Sequence, residues 1–203
     1  MSISTYADLQ TALTNWTKRS DLSSYIPDFI TLGEARINRE VKAKDMEQRT
    51  TSTMDSTTPY LSLPSDFSNV RAVFATSGGV IRELRYMAPG ALLMKYPQAS
   101  ADSEPSYYTI IGSEMRFGPW PDSNYTVEYW YYKKLAALSG ATNTLFTNNP
   151  DLYLYAALTA AMPFMKDDKR IPLWEAQYQA IKNQINDADE EGRRGTGMAV
   201  IAA

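Results

Sequence analysis

Two residue types are missing from this chain. Among its 203 residues there is no cysteine and no histidine. Without cysteine there is no disulfide, no thiolate zinc site and no cysteine-bound iron–sulfur cluster. Without histidine there is no imidazole general base, no triad built on one and no histidine metal ligand. Carboxylate, lysine, tyrosine and serine chemistry stays open, but few enzymes remain. No stretch of about 18 apolar residues occurs, so no segment reads as a membrane-spanning helix. The opening Met1-Ser-Ile-Ser-Thr-Tyr-Ala-Asp8 has neither a basic region nor an apolar run and does not read as a signal peptide. A protein of the cytosol, or one assembled there, is expected. A strong charge is also absent. Twenty basic and 23 acidic residues leave −3, which argues against a strongly basic nucleic-acid binder. DNA passing such a surface without being held is still compatible with it.

Aromatic surface is what the chain has in quantity. Aromatics make up 12% of it, 14 of them tyrosine, beside nine methionines and a hydrophobic fraction of 44%. That fraction supports a real core in one large domain or two small ones. Tyrosine, with an apolar ring and a polar tip, suits half-buried surfaces and interfaces.

Helical patterns bracket the chain. Thr5 reads as a cap, followed by Tyr6, Leu9, Leu13 and Trp16 at steps of three and four. A second helix is expected from Ser23 or Ser24, with Pro27 in its first turn and Ile26, Phe29, Ile30, Gly33, Ile37 and Val41 on its buried face. Gly33 on that stripe points to a close helix–helix approach. The opposite face, with Glu34, Arg36, Arg39, Glu40 and Lys42, reads as solvated or as a subunit contact. Near the other end, Pro150 opens an almost wholly apolar helix after Asn148 or Asn149, with Thr159 its main polar exception and Pro163 a kink or stop. Asp167 or Asp168 reads as the cap of a last helix. There Ile171, Trp174, Tyr178, Ile181, Ile185 and Ala188 form a seam of the coiled-coil type. The short junction makes these last two helices an antiparallel hairpin.

Between the ends, the chain turns to Thr, Val, Tyr, Ser, Pro and Gly. Thr50 to Thr58 reads only as a polar stretch. Strands are expected over Tyr60–Leu63, over Asn69–Thr76 with Val70, Ala72 and Phe74 in alternation, and over Val80–Arg85 after the turn Ser77-Gly-Gly79. A short helix fits Ala91–Tyr96. Tyr107–Ile111 and Glu114–Phe117 read as a second hairpin. Tyr125–Tyr132 is the strongest strand signal, with Tyr125, Val127, Tyr129 and Tyr131 on one face. Several short strands at this spacing suggest a small sandwich or barrel. Ala136–Asn149 reads as a loop.

Chemical motifs are weak. Asp187-Ala-Asp189-Glu-Glu191-Gly192 imitates half a calcium loop, but its twelfth position is Met198 and the segment continues a helix. Gly195-Thr-Gly197 lacks the third glycine and the preceding strand of a dinucleotide site. Asp167-Asp168 is better read as a cap than as a catalytic pair. No cofactor is expected. The glycine-rich tail from Gly192, with Arg193 and Arg194 and then apolar Met198, Val200 and Ile201, hints at docking against a partner.

The segments Asn149-Pro-Asp-Leu-Tyr-Leu-Tyr-Ala-Ala-Leu158, Ala161-Met-Pro-Phe-Met-Lys-Asp-Asp168 and Leu173-Trp-Glu-Ala-Gln-Tyr178 resemble the head-to-tail adaptor (tail tubular or connector) proteins of tailed bacteriophages. Tyr6-Ala-Asp-Leu9, the run from Ile26 to Arg39 and the strand Tyr125–Lys134 are similar to the same family. The resemblance implies a ring of about twelve copies under the portal, with DNA passing its lumen. It implies the portal protein and a downstream tail or nozzle protein as partners, tail fibres as further ones, a place in the virion neck, and no catalytic residues. The expected fold class is α+β. Residues 1–44 and 148–191 form a helical bundle, 45–135 an inserted antiparallel β-rich domain and 192–203 an extended tail. Arg193, Arg194, Met198, Val200 and Ile201 are the candidate portal-docking residues; Arg36, Arg39, Tyr129 and Tyr131 are the candidate subunit-interface residues. Two other readings differ in class. A receptor- or glycan-binding module would use the Tyr-rich β region. A carboxylate glycosidase would need two acids flanking a cleft, and no such pair stands in the strands.

Overall fold

The computed structural model describes residues 3–54, 56–57, 60–97, 103–165 and 169–194, with backbone alone for Arg193 and Arg194. In chain order the helices are α1 (Tyr6–Thr17), α2 (Ile26–Glu40), α3 (Pro89–Lys95), α4 (Thr144–Asn148), α5 (Pro150–Ala160) and α6 (Ile171–Arg194). The strands are β1 (Glu47–Met54), β2 (Tyr60–Ser62), β3 (Phe67–Ser77), β4 (Val80–Glu83), β5 (Arg85–Tyr86), β6 (Tyr107–Ile111), β7 (Glu114–Gly118) and β8 (Tyr125–Lys133). The fold class is α+β, as the sequence indicates. Contacts divide the chain into two compact units, one from residues up to Met46 and from Leu135 onward, the other Glu47–Lys134.

In the helical unit, α1 starts with a reciprocal cap. The Asp8 N–H donates to Thr5 Oγ1 at 3.1 Å, and the Thr5 N–H donates to Asp8 Oδ2 at 3.0 Å. The cap satisfies donors that a helix start otherwise leaves open. A 3₁₀ segment, Ser20–Tyr25, leads into α2, which therefore begins at Ile26 rather than at Ser23 or Ser24. Ile26, Phe29, Ile30, Gly33, Ile37 and Val41 are all buried, as their spacing indicates.

Gly33 is the point of closest approach. A Cβ placed there would lie 2.9 Å from Ala157 N and 3.1 Å from Ala156 C, both backbone atoms of α5. A bare backbone at Gly33 is what lets α2 lie this near α5. Apolar α5 is packed by α1, α2, α4 and α6, so its leucines and alanines are buried around most of the helix. It ends at Ala160, and a 3₁₀ turn, Met162–Phe164, takes up Pro163. Helix α4 falls where the sequence reads as loop. Asn143 caps it by accepting from the Phe146 N–H at 2.8 Å, and Leu145 and Phe146 turn inward. On α6 the seam buries Trp174 and Tyr178, is half-buried at Ile181 and Ile185, and is exposed at Ala188. This helix runs past Glu191 to Arg194. The cap proposed at Asp167 or Asp168 lies outside the described residues.

The β unit is two four-stranded sheets, ordered β1-β8-β3-β4 and β2-β7-β6-β5. The first is antiparallel throughout. The second is antiparallel but for β5 and β6, which pair in parallel. The chain passes from β4 to β5 through Leu84 alone, so β5 inherits its direction without a reversal. One core joins the sheets: Met54, Val73, Ala75, Val127, Tyr129 and Tyr131 from the first, Leu61, Tyr108, Met115 and Phe117 from the second. The β3–β4 hairpin turns on Gly78 and Gly79, at φ +56° and +83°, the left-handed pair such a two-residue loop requires.

Two strands depart from their sequence patterns. β1 occupies most of the stretch read as merely polar. It pairs with β8 along its whole length, from Glu47 opposite Tyr132 to Met54 opposite Tyr125. Threonine is a good strand former, and an edge strand needs few apolar residues of its own when its neighbour supplies the core. In β3 the buried residues are Val73 and Ala75, not Ala72 and Phe74. A bulge between Val70 and Ala72 inserts one residue and exchanges the faces.

Candidate docking surfaces

The polar face of α2 works inward. Arg36 donates from both terminal nitrogens to Glu175 on α6, Nη1 to Oε2 at 2.8 Å and Nη2 to Oε1 at 2.7 Å. Its Nε donates to Glu40 Oε1 at 3.1 Å and its Nη1 to Thr159 Oγ1 at 3.2 Å. The guanidinium lies 4.0 Å from the centre of the buried Tyr178 ring. Gln179 Nε2 also donates to Glu175 Oε1 at 2.8 Å. These bonds, chiefly the Arg36 pair, hold the Glu175 carboxyl at about 2. Burial pushes the Tyr178 hydroxyl well above its ordinary range. A bidentate pair between two helices fixes their relative rotation as well as their distance.

The same face of α2 stitches down the returning chain. Asn38 Oδ1 accepts from the Leu135 N–H at 2.8 Å, and Glu34 Oε1 accepts from the Leu138 N–H at 2.6 Å. Burial raises the Glu34 carboxyl above its usual value, opposed by that bond. Asn186 closes the far end of α2: its Oδ1 accepts from the Lys42 N–H at 2.9 Å, and its Nδ2 donates to Glu40 O at 3.2 Å. The reading of this face as solvated or intersubunit therefore needs correction for Glu34, Arg36 and Glu40, which are internal partners. Arg39 is exposed.

Tyr129 and Tyr131 are 1% and 3% exposed, inside the β core. The Tyr131 hydroxyl donates to Asp66 Oδ1 at 3.0 Å, and burial first, then this bond, pushes it up to about 12. Neither ring has area to offer a neighbour. Of the tail residues expected to dock, Arg193 and Arg194 end α6, whereas Met198, Val200, Ile201 and the Gly195–Gly197 motif lie outside the described residues. The imitation calcium loop at Asp187–Gly192 is helix, not loop.

Sequence reading missed the outer face of the first sheet. Trp130, 36% exposed, is braced by its neighbours on the sheet. Its Nε1–H donates to Glu128 Oε1 at 2.8 Å, Arg49 donates to Glu128 Oε2 at 2.7 Å, and the Phe74 ring lies 5.5 Å away. Arg71, paired with Glu47, approaches the indole at 5.9 Å. A rigid tryptophan between arginines has the make-up of an interface anchor. The signal was present: in the run Tyr129–Tyr132 the odd positions face the core and Trp130 takes the other side.

No helix among the described residues is long and apolar enough to cross a membrane. No curated protein matches the chain. The family model described as SU10 adaptor protein matches residues 4–200. That span takes in both units and nearly every residue, so the chain belongs to the SU10 adaptor protein family.

Proposed function

We propose that this protein is a structural head-to-tail adaptor of a phage virion, forming a ring that joins the portal to the tail and lets DNA pass. The match to the adaptor family over residues 4–200 carries the reading. A net charge of −3 supports it, because a lumen without strong positive charge does not hold DNA. The ring has about twelve copies and closes through side-to-side contacts between different faces of neighbouring subunits. The portal binds the end of α6 and the segment beyond it, through Arg193, Arg194, Met198, Val200 and Ile201. A tail or nozzle protein attaches below, and tail fibres are further partners.

Electron microscopy of the full-length protein mixed with its portal tests this. Rings of about twelve copies seated on the portal are expected. Removing residues 192–203 should weaken portal attachment about tenfold or more and leave the circular dichroism spectrum unchanged. A protein that stays monomeric and never associates with the portal overturns the reading. Unchanged attachment after the truncation overturns the role given to the tail.

A further inference from the structure

Among the described residues, β1 and β4 are the outermost strands of the first sheet of the β unit, each paired on one side only. All four residues of β4 are exposed, including Val80 at 54% and Ile81 at 68%. β1 is eight residues long, carries no proline, lysine or bulge, and is exposed at four of its eight positions, Gln48, Arg49, Thr51 and Thr53. Proteins usually blunt such edges, because unpaired N–H and C=O groups invite another strand. β4 is short and carries Glu83 and Arg82, the latter paired with Glu104 at 2.8 Å, while β1 carries Glu47 and Arg49; these charges restrict each edge to a partner of matching sign rather than closing it.

The directions of the edges say which strand fits. Four antiparallel strands leave β1 and β4 running in opposite senses. A second copy displaced sideways in the same orientation therefore brings its β1 antiparallel to β4, and the alternation continues across the boundary. We propose that β4 of one copy pairs with β1 of the next, so that the first sheet extends from subunit to subunit. The proposal rests on the ring reading and names the contact that builds the ring.

The side chains specify the register. Ile81 lies opposite Thr76 and Glu83 opposite Phe74, in rows that continue to Thr126 and Glu128 on β8 and to Thr53 and Thr51 on β1. Ile81 and Glu83 thus share the outer face with Glu47, Arg49, Thr51 and Thr53. Pairing outward residues with outward residues, and keeping all of β4 within β1, leaves three registers. Ile81 opposite Arg49 sets Glu83 against Glu47, a like-charge pair. Ile81 opposite Thr53 sets Glu83 against Thr51, which is neutral. Ile81 opposite Thr51 sets Glu83 against Arg49, an opposite-charge pair, with Val80 beside Ser52 and Arg82 beside Thr50. Cross-strand charge pairs favour the last and oppose the first. Arg49, already bonded to Glu128, is exposed enough to serve both carboxylates. A strand pair this short covers little of the roughly 1,000 Å² a stable interface needs, so it sets register while other faces add area.

The absence of cysteine gives a disulfide test without background. The full-length double variant Ile81→Cys/Thr51→Cys is oxidised in the presence of portal and run on a non-reducing gel. A ladder of covalent multimers is expected. The shifted pair Ile81→Cys/Thr53→Cys, which leaves Arg49 in place, should give about tenfold less, since Cβ atoms two residues out of register are too distant to bond. Adding Glu83→Arg to the first pair should cut the ladder about tenfold, and adding Arg49→Glu as well should restore it. Circular dichroism checks that each variant is folded. Rings on the portal with no ladder overturn the edge pairing and leave the adaptor reading standing. Covalent dimers from Ile81→Cys alone overturn it too, because they mean that two β4 edges meet. No ring and no portal association overturn the adaptor reading, and the edge pairing falls with it.

Discussion

In the helical unit a charged residue lies inside. Arg36 rests on the Tyr178 ring, with Glu175 and Glu40 closed around it and Gly33 of the same helix pressed to the α5 backbone. In the β unit the charge pairs are also partly buried, as at Arg71–Glu47, Arg49–Glu128 and Arg82–Glu104, but the core between the sheets is aromatic, with Tyr125 and Tyr131 reaching Asp122 and Asp66 through their hydroxyls. One unit is fixed by direction, through bonds and a backbone contact that admit a single helix arrangement. The other is fixed by volume, through rings that fill the space between two sheets. The two should fail for different reasons.

The largest failure is expected in the β core. Tyr129 is among the largest fully buried side chains, so Tyr129→Ala should cost about 4 kcal/mol, read from urea unfolding. Tyr129→Phe keeps the volume and should cost no more than about 1 kcal/mol. If the phenylalanine variant is as damaged as the alanine variant, the β unit too depends on direction and the contrast breaks. Next comes Gly33→Val. Any Cβ there meets backbone 2.9 Å away, which cannot rotate aside. The cost should be about 3 kcal/mol, a fall in Tm of about 6–12 °C followed by the helical circular dichroism signal. A small or absent effect would mean that α2 slides on α5, and that the close approach is not what fixes the helical unit.

How far each unit could be read from sequence follows the same division. Helix faces were legible because the period of the buried residues is local: the stripe of α2 and the clash at Gly33 both follow from positions a few residues apart. The Arg36 cluster was not, since Glu175 lies 139 positions from Arg36 and nothing local distinguishes a paired arginine from a solvated one. In the β unit, Tyr125, Val127, Tyr129 and Tyr131 declared their common face by alternation. β1 hid because its apolar complement belongs to β8, and β3 hid its face because a bulge leaves no mark in alternation. Arginine and tyrosine are interface residues by type, and type does not say which side of a strand or helix is already occupied. Parity separates Trp130 from Tyr129 and Tyr131, but Tyr132 shares its parity and is buried, so parity alone does not single it out.

The smallest expected effect separates the units by pH. The Glu175 carboxyl is held at about 2, chiefly by the bonds from Arg36, against an ordinary 4.5. The folded state therefore binds this proton less readily than the unfolded chain does. Its contribution is complete above about 4.5 and is lost as the pH falls toward 2. The side chain is 34% exposed, so solvent screens the pair and the contribution should be about 1 kcal/mol. Glu175→Gln removes the charge and keeps the shape. The gap in urea midpoint between the native protein and this variant should be widest near neutral pH and should narrow below about 4.5. Glu34 runs with the opposite sign, because burial raises its carboxyl, but it is present in both proteins and cancels in the difference. A gap that holds constant from neutral to strongly acidic pH would show that the Arg36 cluster fixes the helices by shape alone, which would leave both units stabilised by volume.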